Sequence, residues 1–275
     1  MDDKNTISIM GCGWLGLPLA EQLLKAGYTV KGSTTTPAKI PLLQSAGIIP
    51  HLLNLQEEQP DTKQLHDFLQ SKILVLNIPP HLRSDGGESY LQQMHLLRKA
   101  LASSPVNRVL FISSTSVYLD LNRVVTEEDI TFTREQQPEN MLLQAEKLFQ
   151  EGDGWMTTVL RFGGLVGENR KPGRFLAGKK NVPNGDAPVN LIHLEDCVHI
   201  MRRIIEQEVW GQVYHACADQ HPLRREFYTQ AAKSLGLPPP TFNDMPETHF
   251  KLINSQKIKD ALSYTFLHPD PMTFF

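Results

Sequence analysis

Cysteine is scarce in this chain of 275 residues, and long apolar runs and any marked excess of one charge are missing. The three cysteines (Cys12, Cys197 and Cys217) are odd in number and far apart, which argues against a disulfide framework and for a reducing compartment, the cytoplasm by default. No uninterrupted apolar stretch approaches the roughly 18 residues that suggest a membrane span, so no membrane partner is expected. The start, Met1-Asp2-Asp3-Lys4-Asn5, lacks the basic and apolar regions of a signal peptide. A net charge of −3 gives no basic face for nucleic acid. Neither an internal repeat nor a low-complexity tail is present. What remains is 40% hydrophobic and 21% charged, the make-up of an ordinary globular protein.

The informative stretch lies near the N-terminus. Ile7, Ile9 and Met10 form an apolar run suited to a buried strand, and Leu15, Leu19 and Leu23 follow at helical spacing. Between them Gly11, Gly13 and Gly16 fit G-x-G-x-x-G, in the strand–turn–helix setting of a dinucleotide-binding fingerprint. The first glycine allows a tight turn, the second lets backbone approach a pyrophosphate, and the third lets helix pack on strand. The helix N-terminus would point its amides at the anion. The cofactor contacts expected here are Gly11, Cys12, Gly13, Trp14, Leu15 and Gly16, with Cys12 read as a small filler. The alternative is an ordinary tight strand–helix turn.

An absence bears on the choice of cofactor. In an NAD site an acidic residue about 20 positions after the fingerprint bonds the ribose 2′-hydroxyl. No acidic residue occurs between Glu21 and Glu57. The expected second strand, Tyr28-Thr29-Val30-Lys31, runs into Gly32-Ser33-Thr34-Thr35-Thr36, with Lys39 beyond. A carboxylate would repel a 2′-phosphate, whereas Ser33, Thr34, Thr35 and Lys39 would hold one. The expectation is NADP, with NAD the second choice.

Strand-like runs alternate with helical patterns through the first 160 residues, the signature of a doubly wound parallel α/β sheet of Rossmann type. A buried strand at Ile73–Ile78 stops at Pro79-Pro80, and another, Arg108–Ile112, opens into Ser113-Ser114-Thr115-Ser116-Val117-Tyr118. Ligands in such sheets bind beyond the carboxyl ends of strands, so Asn77, Ile78, Pro79 and Ser113 join the expected cofactor contacts. After Gly163 the texture turns to glycine- and proline-rich loops. The expected organisation is a Rossmann domain over residues 1–165, with 189–217 rejoining the sheet. Residues 166–188 and 218–275 would form a small substrate-side cap.

The chain resembles the extended short-chain dehydrogenase/reductases, the superfamily of NAD(P)-dependent epimerases and dehydratases. The resemblance runs through Gly11–Gly16, Phe111–Tyr118, Val159–Gly167 and Asn190–Asp196. A narrower likeness, in Gly13-Trp14-Leu15-Gly16, Ser114–Tyr118, Pro172–Lys179 and Val189–Leu194, is to the bacterial YeeZ-type proteins, atypical members of that superfamily. The resemblance implies that Ser114 bonds a reacting substrate oxygen; the alternative is a hydroxyl tying off a strand end. It also implies a homodimer packed through the Glu139–Gln150 and Leu194–Gln207 helices.

The superfamily's proton carrier is missing. A Tyr-x-x-x-Lys pair there moves the proton as hydride moves. Aligned through Glu146, its two positions fall on Pro138 and Leu142, and the residues four beyond the six tyrosines are Gly32, Met94, Asn122, Ala218, Ala232 and His268. Tyr118 and His193 are the candidate replacements, against packing for the tyrosine and a hydrogen-bonded core position for the histidine. Arg161, Arg170 and Arg174, with Lys171 and Lys179, form a basic stretch suited to a substrate phosphate or carboxylate, or else a solvated charged loop. Glu195 and Asp196 suit the start of a helix. His215, Cys217, Asp219 and His221 alternate as metal ligands on a strand do, but Pro222 ends the strand early, and no metal is expected. Two functions follow. One is an NAD(P)-binding, epimerase/dehydratase-like oxidoreductase acting on a small polar metabolite, anionic or sugar-like. The other is a non-catalytic NADP(H)-binding redox sensor or regulatory protein.

Overall fold

The computed structural model describes residues 5–56, 61–80, 87–129, 140–243 and 248–275. Among them the first strands are β1 (Thr6–Met10), β2 (Thr29–Thr34), β3 (Ile49–Leu52), β4 (Ile73–Leu76) and β5 (Arg108–Ser114). Then come β6 (Val124–Val125), β7 (Met156–Phe162), β8 (Gly164–Val166), β9 (Leu191–His193), β10 (Val213–Ala216) and β11 (Leu252–Ile253). Seven of these strands make one sheet in the order β3-β2-β1-β4-β5-β7-β10. β1 is buried along its whole length, and it pairs in parallel with β2 on one side and β4 on the other. That two-sided burial is why its sequence is continuously apolar rather than alternating. The order reverses between β1 and β4, which makes their carboxyl ends the switch point of a doubly wound sheet.

Helices follow the strands as the periodicity predicts. Gly16–Lys25 buries Leu19, Ala20 and Leu23, each worth ~1–3 kcal/mol of apolar burial. Asp61 caps Thr62–Phe68 by accepting from the Gln64 amide, and Asn140 caps Met141–Gln150 by accepting from that of Leu143. No described helix is long and apolar enough to cross a membrane.

Two details differ from the sequence expectation. β2 continues through Gly32, Ser33 and Thr34 rather than turning there. Gly32 makes this possible, since a Cβ on it would stand 2.6 Å from the Cys12 sulfur and 2.7 Å from Ile48. Of the segment 189–217, β10 joins the central sheet, but β9 pairs with β8 in a separate two-stranded sheet. Gly163 and Gly164 permit that approach: the Gly164 amide donates to the Asn190 carbonyl at 2.8 Å, and a Cβ at Gly163 would lie 2.9 Å from the same oxygen.

The chain divides into two compact units. The first comprises Met1–Ser113, Phe132–Leu160 and Met201–Val213, and the second Ser114–Thr131, Arg161–Ile200 and Tyr214–Phe275. The expected cap segments both fall in the second unit, which also takes 114–131, 161–165, 189–200 and 214–217. Ile7, Ile9, Leu74, Val109 and Leu110 are fully buried in the first unit. Val166, Val189, Leu191, Ala218, Phe227 and Phe274 form a core cluster in the second.

Candidate functional site

In the first unit the three glycines of the turn meet three different physical demands. Gly11 has φ +98°, and a Cβ there would stand 2.4 Å from the Asn77 carbonyl oxygen. The Asn77 side-chain amide donates to the Gly11 carbonyl at 3.1 Å, tying the end of β1 to the residue after β4. A Cβ on Gly16 would lie 2.3 Å from the Gly11 carbonyl oxygen, so the helix seats on its own turn. A Cβ on Gly13 would meet nothing within 4 Å. The space at its Cα is therefore open, while its amide donates to the Gly11 carbonyl at 2.9 Å and its carbonyl accepts from the Leu17 amide at 3.0 Å.

That space is a cavity of about 470 Å³. Of the expected cofactor residues, Gly11, Cys12, Gly13, Ser33, Thr34, Thr35, Lys39, Asn77, Ile78 and Pro79 line it. Trp14, Leu15, Gly16 and Ser113 do not. Leu15 is 4% exposed and packs inward. The Ser113 hydroxyl donates to the Glu146 carboxylate at 2.5 Å. Met10, Thr36, Leu53, Asn54, Leu55, Gln56 and Gln93 complete the wall. Leu53–Gln56 follow β3 directly, the same place beyond a strand's carboxyl end that Asn77 holds after β4. Among the described residues no acidic side chain lines the cavity, and Lys39 brings a charge to it.

Two of the expected phosphate contacts, Ser33 and Thr34, also make local hydrogen bonds. The Ser33 hydroxyl accepts from the Gly11 amide at 2.9 Å and points at the Met10 sulfur, while its carbonyl accepts from the Cys12 amide at 2.8 Å. The Thr34 hydroxyl accepts from the Thr36 amide at 3.1 Å. Both residues shape the loop while lining the cavity, and Thr35, Thr36 and Lys39 are the exposed groups beside them. Burial pushes the Cys12 thiol up to about 12, so it stays protonated at neutral pH and serves as the filler that Gly32 accommodates.

In the second unit the candidate residues take separate positions. Ser114, half-buried, accepts from the Ser116 amide at 3.1 Å and caps the short turn Thr115–Val117. Tyr118 lies in the interior, 4% exposed, rather than at an open mouth. Its hydroxyl lies 2.5 Å from His215 Nε2 and accepts from Arg161 Nη1 at 2.5 Å. His215 Nδ1 lies 3.0 Å from the Asn254 carbonyl, which assigns the ring proton to Nδ1 and makes Nε2 the acceptor from Tyr118. Burial, reinforced by the Arg161 charge, lowers His215 to about 4, so this ring is neutral. Glu127 accepts from the His215 amide at 2.8 Å, and burial raises its carboxyl.

Arg161 therefore belongs to a buried network, fully shielded from solvent, and not to the basic loop. Arg170 and Arg174 are exposed; Arg170 Nε donates to the Leu165 carbonyl at 2.9 Å. Asp196 is buried and accepts from the Tyr264 hydroxyl and the Leu267 and His268 amides, a structural clamp more than a helix-end charge. His193 is half-buried with its ring centroid 3.9 Å from that of His268, and burial together with the neighbouring ring lowers its pKa. The alternating set disperses: Cys217 points at the Leu191 carbonyl, Asp219 pairs with Lys259 at 2.7 Å and His221 bonds the Val189 carbonyl. Leu142, on which alignment through Glu146 puts the superfamily's lysine, is buried, while Pro138 and Glu139 lie outside the described residues.

No family model matches the chain. Solved structures with the same architecture include UDP-glucuronic acid 4-epimerase from Bacillus cereus, in complex with UDP-glucuronic acid and NAD, at TM-score 0.76 and 18% identity, covering 98% of this chain and 96% of that one. A short-chain dehydrogenase/reductase superfamily protein from Agrobacterium tumefaciens with bound NAD gives TM-score 0.73 at 18% identity, covering 97% of this chain and 94% of that one. At such identities the likeness is one of fold. Sequence kinship is nearer with Protein YeeZ of Escherichia coli K12, 34% identical over 275 residues and matched across 97% of both chains. Identity at that level over nearly the full length of both proteins makes the chain a member of the YeeZ family, with a Rossmann-like α/β fold.

Proposed function

We propose that the first unit binds a nicotinamide dinucleotide, NADP(H) in preference to NAD(H), and that the protein is an epimerase/dehydratase-like oxidoreductase acting on a small polar metabolite, anionic or sugar-like. One observation carries the reading: the space left at Gly13 by its missing side chain opens on a cavity walled by Thr35, Thr36 and Lys39, with no acidic side chain among the described lining residues. Backbone amides receive the diphosphate. The hydroxyls and the lysine receive a 2′-phosphate that a carboxylate would repel. The NAD bound by the two solved relatives in fold supports the ligand class.

Lys39→Ala is expected to weaken NADPH binding about tenfold, the low end of a charge-assisted contact at an exposed site, and to leave NADH binding within about twofold. Calorimetric titration with both nucleotides checks this. NADH binding tighter than NADPH in the unaltered protein would overturn the preference.

For catalysis, Ser114 orients the substrate oxygen, and the exposed Arg170 and Arg174 attract an anionic substrate. NADPH oxidation in the presence of carbonyl metabolites and sugar nucleotides is expected to show turnover that Ser114→Ala lowers about 100-fold, as loss of a positioned donor does. A specific observation favours a second reading. The chain holds no Tyr-x-x-x-Lys, and Leu142, on which alignment through Glu146 puts the lysine, is buried. Tight NADPH binding without turnover of any substrate, together with a partner protein whose capture depends on cofactor redox state, would identify a redox sensor instead.

A further inference from the structure

Outside the network around Tyr118, the second unit brings together His193, Glu195 and His268. Each offers one donor atom within 4.8 Å of the other two. His268 Nε2 and Glu195 Oε2 are 2.6 Å apart, and the His193 and His268 rings lie 3.9 Å apart at 44°. We propose that these three side chains form a divalent-metal site of the zinc class.

Two imidazoles and one carboxylate are the nitrogen–oxygen set that zinc and its neighbours take in sites with three protein ligands, where a fourth position stays open to water or substrate. Bonds of about 2.0–2.2 Å would bring the donors to roughly 3.5 Å from one another, a change that side-chain rotation supplies. His193 Nδ1 accepts from the Glu195 amide at only 3.4 Å, so little is lost as that ring turns. Glu195 is exposed, which leaves a route for the ion from solvent.

The framework behind the three donors distinguishes them from a chance surface pair. His193 ends β9 and Glu195 lies in the first turn of the helix Leu194–Glu206, so their spacing is set by a strand–helix junction. His268 comes from 73 residues further on. It is held in place by Asp196, whose fully buried carboxylate accepts from Tyr264 at 2.7 Å, from the Leu267 amide at 2.7 Å and from the His268 amide at 3.0 Å. Phe274 packs its ring 5.5 Å from that of His193 and 6.2 Å from that of His268. Such support holds the backbone that carries His268 in place and leaves only side-chain rotation for the ion to induce.

The test is calorimetric titration of the full-length, chelator-treated protein with zinc chloride, paralleled by the visible absorption of added cobalt(II). One ion per chain is expected. Glu195→Gln and His268→Ala should each weaken binding more than ~10-fold and lose the cobalt bands, with melting temperatures measured without metal to confirm folding. His66→Ala, a change at an exposed histidine on the first unit, should leave the titration unaltered. Absence of ion uptake would overturn the site. So would uptake that the folded Glu195→Gln and His268→Ala proteins retain, or that His66→Ala abolishes.

Discussion

Gly13→Ala is expected to leave the fold intact and weaken dinucleotide binding, whereas Gly16→Ala is expected to disturb the fold itself. A methyl on Gly16 would stand 2.3 Å from the Gly11 carbonyl oxygen. That neighbour is backbone, pinned by the Asn77 side chain, so it cannot swing aside. Overpacking of this kind costs about 3 kcal/mol, or roughly 6–12 °C in melting temperature for a chain of this size. Gly13 has no positive φ, and its methyl would meet no protein atom within 4 Å. The melting temperature should therefore move by about 1 °C or less, as for surface changes generally. The methyl would instead fill the place where a diphosphate meets the main chain, and NADPH affinity should fall at least ~10-fold. Differential scanning fluorimetry and nucleotide titration of the two variants separate the effects. Undiminished NADPH binding by Gly13→Ala would remove the diphosphate from this turn.

Acidification from pH 7 to pH 4 is expected to cost about 3 kcal/mol of folding free energy through His215 alone. Burial and the adjacent Arg161 hold this ring at about 4, against 6.5 for a free histidine. Unfolded chains take up the proton near pH 6.5, while the folded state refuses it until about pH 4. Between those values the unfolded state binds more protons, so His215's contribution is complete above pH 6.5 and is lost as pH falls toward 4. At about 1.4 kcal/mol per pH unit the difference comes to about 3 kcal/mol. Urea unfolding at pH 7, 5.5 and 4.5 measures it. His215→Gln, which keeps an acceptor for Tyr118 but cannot titrate, should flatten the slope by that amount. Equal slopes in the two proteins would show that the folded state takes up this proton as readily as the unfolded chain, and would overturn the shift. Tyr118→Phe removes the hydroxyl on which Arg161 Nη1 and His215 Nε2 meet, and should cost about 2–4 kcal/mol at pH 7.

The parts of this molecule that were legible in its residues are those set by local rules. Strand and helix periods marked the alternating units of the sheet, and the glycine spacing marked the turn at its centre, because each depends on neighbours a few positions away. The strand-end rule then chose Asn77, Ile78 and Pro79 as cavity residues without knowledge of their contacts. Side-chain roles that depend on distant partners were not legible. Ser33 reads as a phosphate-binding hydroxyl, and only the fold also sets it under the Gly11 amide, 22 residues away. Tyr118 and Arg161 read as site residues until His215, 97 positions beyond the tyrosine, encloses them in a dry network. Nothing in the chain places His268 beside Glu195; the buried carboxylate of Asp196 does so through three hydrogen bonds. Sequence by itself determined the sheet and its glycine turn, since backbone geometry and apolar periodicity are written locally. Tertiary structure decided which polar groups face solvent and which satisfy one another, since a polar side chain entering the interior must find its partner wherever the fold supplies one.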